Sequence, residues 1–69
     1  MSNYSKRVSK NLRKMIVAKG ISAEKLAFGA GVSKSTISNY LSNKRMPTIP
    51  VLERIAEYLK LDFLEFFKP

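Results

Sequence analysis

Apolar residues recur along the chain at helical spacing, and no stretch alternates as a β-strand does. Val8, Leu12, Met15 and Ile16, with Lys19 through its stem, mark one buried face. They predict a helix from about Ser5 to Lys19, after a loose start over residues 1–5. Gly20 stands where a helix can end on a left-handed residue. Leu26, Ala27 and Ala30 form the inner face of a second, short helix, with Gly29 and Gly31 close behind it and Gly31 as the turn residue of positive φ. A third helix follows from Ser33 to about Asn43. At steps of about 100° per residue, Ile37, Tyr40 and Leu41 gather on one side of it, with Ser35, Ser38, Asn39 and Ser42 opposite and Lys34 on the flank. Leu52, Ile55, Ala56 and Leu59 stripe a fourth helix, and a last one follows Asp62.

The helix starts agree with these stripes. Ser22, Ser33, Thr48 and Asp62 each precede a periodic run, where a side-chain oxygen can accept an unpaired backbone N–H. Ile21 with Leu26, Val32 with Ile37, Pro47 with Leu52 and Leu61 with Phe66 have the spacing of hydrophobic staples. Glu65 stands three residues after Asp62, as in a capping box, and Pro50 falls in a first turn, where proline is tolerated. The expectation is an all-α fold of five short helices, one domain over residues 1–69, with a helix-turn-helix core at 22–43.

Composition narrows what such a domain does. With 69 residues the chain suits one small core. It holds no Cys and no His, which removes disulfides, thiolate and imidazole metal sites and the commonest general base. No paired carboxylates stand in for them, so neither enzyme chemistry nor a metal or other cofactor is expected. Glu53, Glu57 and Glu65 read as a solvated face. No apolar run approaches a membrane span, the N-terminal residues lack the apolar core of a signal peptide, and the absence of cysteine suits a reducing cytoplasm. The net charge of +8 is unevenly placed. Residues 1–46 hold ten Lys and Arg against one acid, Glu24, whereas residues 47–69 hold three against four. Such asymmetry points to one surface facing a polyanion.

Helices two and three together resemble the helix-turn-helix of the phage repressor and Cro family, also called the Xre-like family. The matching residues are Leu26, Ala27, Gly31, Val32, Ile37 and Tyr40. Pro47-Thr48-Ile49, Leu52, Ile55-Ala56, Leu59 and Asp62-Phe63-Leu64 extend the match. The resemblance implies a five-helix domain of the lambda-repressor type that places helix 33–43 in the DNA major groove and acts as a sequence-specific transcriptional regulator, a repressor by operator occupancy. It assigns base reading to Lys34, Ser35 and Asn39. Lys donates to guanine, Asn pairs with adenine and Ser serves either. Phosphate contacts fall to the helix starts at Ser22 and Ser33, to Ser42, and to Lys44 and Arg45 in the loop that follows. Lys10, Lys14 and Lys25 are further candidates.

Two departures from the family pattern stand out. Ala23 stands where a long polar residue commonly touches phosphate, and Ile16 with Leu41 replaces a common Arg–Glu pair. One module is small for a specific site, so a homodimer on a palindromic double-stranded operator is expected. Phe63 is expected to close the core. One of the adjacent Phe66 and Phe67 is expected to be exposed and, with Leu64 or Tyr58, to form a dimer patch. Two other readings remain open. One is a protein-interaction module, an antitoxin or anti-regulator on the same fold. The other is a sequence-nonspecific nucleic-acid binder, for which this helix face carries little Lys or Arg.

Overall fold

The computed structural model describes residues 3–69, so Met1 and Ser2 of the expected loose start lie outside the described residues. Four α-helices follow: α1 (Asn3–Lys19), α2 (Ala23–Ala30), α3 (Lys34–Leu41) and α4 (Ile49–Leu59). A 3-10 helix, Phe63–Phe67, ends the fold, and the described residues contain no strand. Helix α2 packs on both α3 and α4, while α1 packs on α3 and on the 3-10 helix. The shared core takes Val8 and Leu12 from α1, Leu26, Ala27 and Ala30 from α2, and Ile37 and Tyr40 from α3. It is completed by Val51, Leu52, Ile55, Ala56 and Leu59 of α4 and by Phe66.

All four expected caps are made. Ser22 Oγ accepts from Lys25 N at 3.1 Å, Ser33 Oγ from Thr36 N at 3.1 Å, Thr48 Oγ1 from Val51 N at 3.4 Å and Asp62 Oδ1 from Leu64 N at 2.9 Å. The C-terminal ends share one device as well. Each α-helix finishes on a left-handed residue: Gly20 (φ 64°), Gly31 (φ 71°), Asn43 (φ 62°) and Lys60 (φ 57°). The N–H of the next residue then reaches back five places, from Ile21 to Ile16 O, Val32 to Ala27 O, Lys44 to Asn39 O and Leu61 to Ala56 O. This is the Schellman arrangement, which satisfies the last carbonyls of a helix. Three of the four pairs are apolar, as the arrangement favours. The pair that closes α3, Lys44 over Asn39, is polar.

Several expectations are corrected. The helix begins at Asn3 rather than near Ser5, and Ser5 itself is buried. Lys19 is exposed and adds nothing to the buried face of α1. That face instead takes in Ser9 and Asn11, which helical spacing sets beside Val8 and Leu12. The fifth α-helix is absent. Its five residues make a 3-10 turn, with Glu65 N bonded to Asp62 O at 3.0 Å. The Glu65 carboxylate reaches forward to Lys68 Nζ at 2.9 Å instead of closing a capping box. The carbonyls of Phe66 and Lys68 both accept from the buried Asn11 Nδ2, at 2.8 and 2.7 Å, which ties the end of the segment to α1. Phe66, not Phe63, is the ring fully inside. Phe63 is half-buried and packs edge-on to it, with ring centroids 6.3 Å apart. Gly29 has a tertiary reason, since a Cβ there would overlap the Tyr58 ring of α4.

Candidate nucleic-acid interface

Helix α3 buries only Ile37 and Tyr40. Thr36 and Leu41 are half-buried, and the polar side of the helix faces solvent. Lys34, Ser35 and Ser38 are exposed and Asn39 is half-exposed. Ser33 Oγ caps the helix and also lies 3.1 Å from Ser35 Oγ and 2.8 Å from Thr36 Oγ1, so a small hydroxyl network marks its start. At the other end, Asn39 O accepts from Lys44 N at 2.8 Å, Arg45 N at 3.3 Å and Ser42 Oγ at 3.3 Å. These bonds fold the basic loop back beside the helix and set Lys44 and Arg45 in solvent next to the Asn39 side chain's own turn.

The two motif helices begin alike. Each N-cap serine satisfies the third amide of its helix, and helix geometry leaves the first two, at Ala23 and Glu24 and at Lys34 and Ser35, without a partner inside the helix. Those amides and the helix dipole favour an anion. Glu24 in the first turn of α2 works against an anion there, and α3 has no acid in its first turn. Ser22 is exposed beside this start, and Ser42 is exposed beyond the end of α3. Lys6, Lys10, Arg13, Lys14 and Lys25 are exposed too, and among the described residues the one ion pair is Lys68 with Glu65, outside this basic region.

The expected dimer patch is redrawn by burial. Phe66 is wholly inside and is closed to a second chain. Phe67 is half-buried against Phe63 (5.3 Å between centroids) and Tyr4 (6.4 Å). Leu64 and Tyr58 are the exposed apolar side chains nearby in sequence, at 64% and 41%. Ile16 and Leu41, in place of a charged pair, both pack half-buried against the core.

Two contacts to the motif have no counterpart in the sequence reading. Arg54 Nε, from α4, donates to Ala30 O at 2.8 Å, and Ser9 Oγ, from α1, donates to Leu41 O at 3.0 Å. A hydroxyl on the Val8–Leu12 face was the available signal for Ser9. Arg54 gives none, since it lies on the solvent side of an amphipathic helix.

The family model for helix-turn-helix domains matches residues 10–66. The chain belongs to the helix-turn-helix family. Its fold is that of a DNA-binding transcriptional regulator. It is 32% identical over 69 residues to the HTH-type transcriptional regulator SutR of Escherichia coli K12, and that match takes in all of this chain and 39% of SutR. The chain thus spans about two-fifths of the length of that relative. The restriction-modification controller protein C.AhdI of Aeromonas hydrophila superposes with a TM-score of 0.83 at 28% identity, over 88% of this chain and 92% of the controller. The family binds double-stranded DNA, and no helix of the described residues is long and apolar enough to cross a membrane.

Proposed function

We propose that this helix-turn-helix domain reads a specific operator, with α3 in the major groove, and represses transcription by occupying the site. The observation that carries the reading is the exposed polar side of α3 flanked by unpaired Lys44 and Arg45. Lys34, Ser35 and Asn39 read base edges, while the amides at the starts of α2 and α3, with Ser22, Ser33, Ser42, Lys44 and Arg45, hold phosphates. Ala23 offers no side-chain contact to phosphate, so the loop after α3 supplies more of the grip. The protein works as a homodimer on a palindrome with half-sites roughly 34 Å apart, and Leu64, Tyr58 and Phe67 supply the pairing surface in place of Phe66. It acts in the cytoplasm by binding, not by catalysis. The domain organisation is a single helix-turn-helix domain across residues 1–69.

Selection of duplexes from a random library at moderate salt tests this reading. Enrichment of a palindrome supports base reading and two-fold symmetry together, whereas enrichment of no sequence overturns both. The competing reading is an antitoxin or anti-regulator that binds a protein partner. It is favoured by Phe28, which stands 86% exposed on the outer side of α2. Failure of the selection, with a Phe28-dependent protein complex in its place, would establish it.

A further inference from the structure

The helices of the motif are both held at their last carbonyl by a side chain from outside the motif. Ala30 ends α2, and its carbonyl accepts from Arg54 Nε of α4. Leu41 ends α3, and its carbonyl accepts from Ser9 Oγ of α1. Ser9 is 3% exposed, so its hydroxyl is committed to the interior, where an unmade bond is costly. Arg54 also brings positive charge to a helix C-terminus, where the dipole favours it, and its Nε lies 3.9 Å from where a Cβ on Gly31 of the turn would stand.

We propose that Ser9 and Arg54 are positioning residues for base recognition. They set the pose of α3 without touching DNA, and the inference rests on the base-reading function proposed above. The physical reason is the thin hold that packing has on α3. Two buried side chains, Ile37 and Tyr40, with the half-buried Leu41, resist its withdrawal from the core but are weaker against rotation about its axis or sliding along it. Apolar contact is non-directional. A hydrogen bond is directional and weakens steeply as its angle opens. Ser9 therefore fixes the far end of α3, and Arg54 fixes the helix that leads into it through the turn. Bidentate pairing of Asn39 to a base edge has the same narrow geometry, so a small rotation of α3 breaks it. Lysine contacts to phosphate are long and adaptable, and they survive such a rotation.

The test uses the wild-type chain and two variants, Ser9→Ala and Arg54→Met. Alanine is the better helix former, which keeps α1 intact, and Arg54 is exposed, so both variants are expected to fold. Circular dichroism checks the fold before binding is read. Binding is measured across a salt series to the duplex that wild type enriches and to a scrambled duplex of equal composition. Each variant is expected to lower the ratio of the two affinities by roughly tenfold, the value of about one base contact. Affinity for the scrambled duplex and the salt slope should stay as in wild type. A purely structural role would lower the folded fraction, which scales both affinities together and leaves the ratio unchanged; that result overturns the proposal. A fall of about one unit in the salt slope for Arg54→Met would make Arg54 a phosphate contact and overturn its positioning role. Failure of wild type itself to enrich any duplex removes the base reading and this inference with it, whereas an enriched duplex with unchanged variant ratios removes the inference alone.

Discussion

Helices α2 and α3 have the same length, eight residues, and both start on a serine cap, yet they are built for different ends. Helix α2 buries Leu26, Ala27 and Ala30 and closes on Gly31 with Val32 over Ala27. Helix α3 buries two residues and closes on Asn43, with a lysine over an asparagine. Its interior is Ser, Thr and Asn at positions where Ala, Leu or Glu would make a better helix. The difference shows where stability has been given up. Helix α2 buries more of its surface, whereas α3 buries two side chains and leaves its polar side in solvent.

The largest expected effect bears on that difference. Ile37→Ala removes one of the two buried side chains of α3 and should cost about 2–5 kcal/mol in urea unfolding. A loss under about 1 kcal/mol would mean that α3 is held by something other than core packing. Next comes the polar side of α3 itself. Asn39→Ala should weaken binding to the best duplex by about 1–3 kcal/mol and relax preference at one base pair. Equal losses on cognate and random duplexes would remove Asn39 from base reading. Lys44→Ala, one turn away in the loop, should instead weaken binding to every duplex and lower the salt slope by about one unit.

The smallest effects test the two helix ends. Gly31→Ala forces a Cβ into the left-handed region and should destabilise by about 1 kcal/mol in thermal unfolding. The reverse change at the end of α3, Asn43→Gly, should stabilise by about 0.5 kcal/mol, and Lys60→Gly at the end of α4 by a similar amount. If Asn43→Gly destabilised the fold, the asparagine side chain would be holding the end of α3 rather than merely tolerating its backbone.

Much of the fold was legible because its signals are local. A Ser, Thr or Asp before a periodic run reads as a cap, and all four caps at Ser22, Ser33, Thr48 and Asp62 are made. Gly20 and Gly31 announce left-handed ends by lacking a Cβ. Asn43 and Lys60 adopt the same backbone without announcing it, because the bonds that repay their strain come from residues further along the turn. The exposed polar side of α3 was legible for a similar reason. Helical spacing alone separates Ser35, Ser38 and Asn39 from Ile37 and Tyr40.

What escaped the sequence depends on which elements meet. Nothing near Phe63–Phe67 says whether five apolar-rich residues will continue as an α-helix. Asn11, more than fifty residues earlier in the chain, donates its amide to one carbonyl of the segment, Phe66, and to that of Lys68 just after it. Phe66 rather than Phe63 enters the core in that docked segment. Ser9 and Arg54 reach the motif from α1 and α4 for an equally nonlocal reason. The sequence by itself determined four α-helices, the capped starts of α2, α3 and α4, the polar face of α3 and the excess of basic residues in the first two-thirds of the chain, because each rests on residues close to one another in the chain. Only the tertiary structure decided how the chain ends and how α3 is held, because hydrogen bonds between distant elements have no period to be read along a chain.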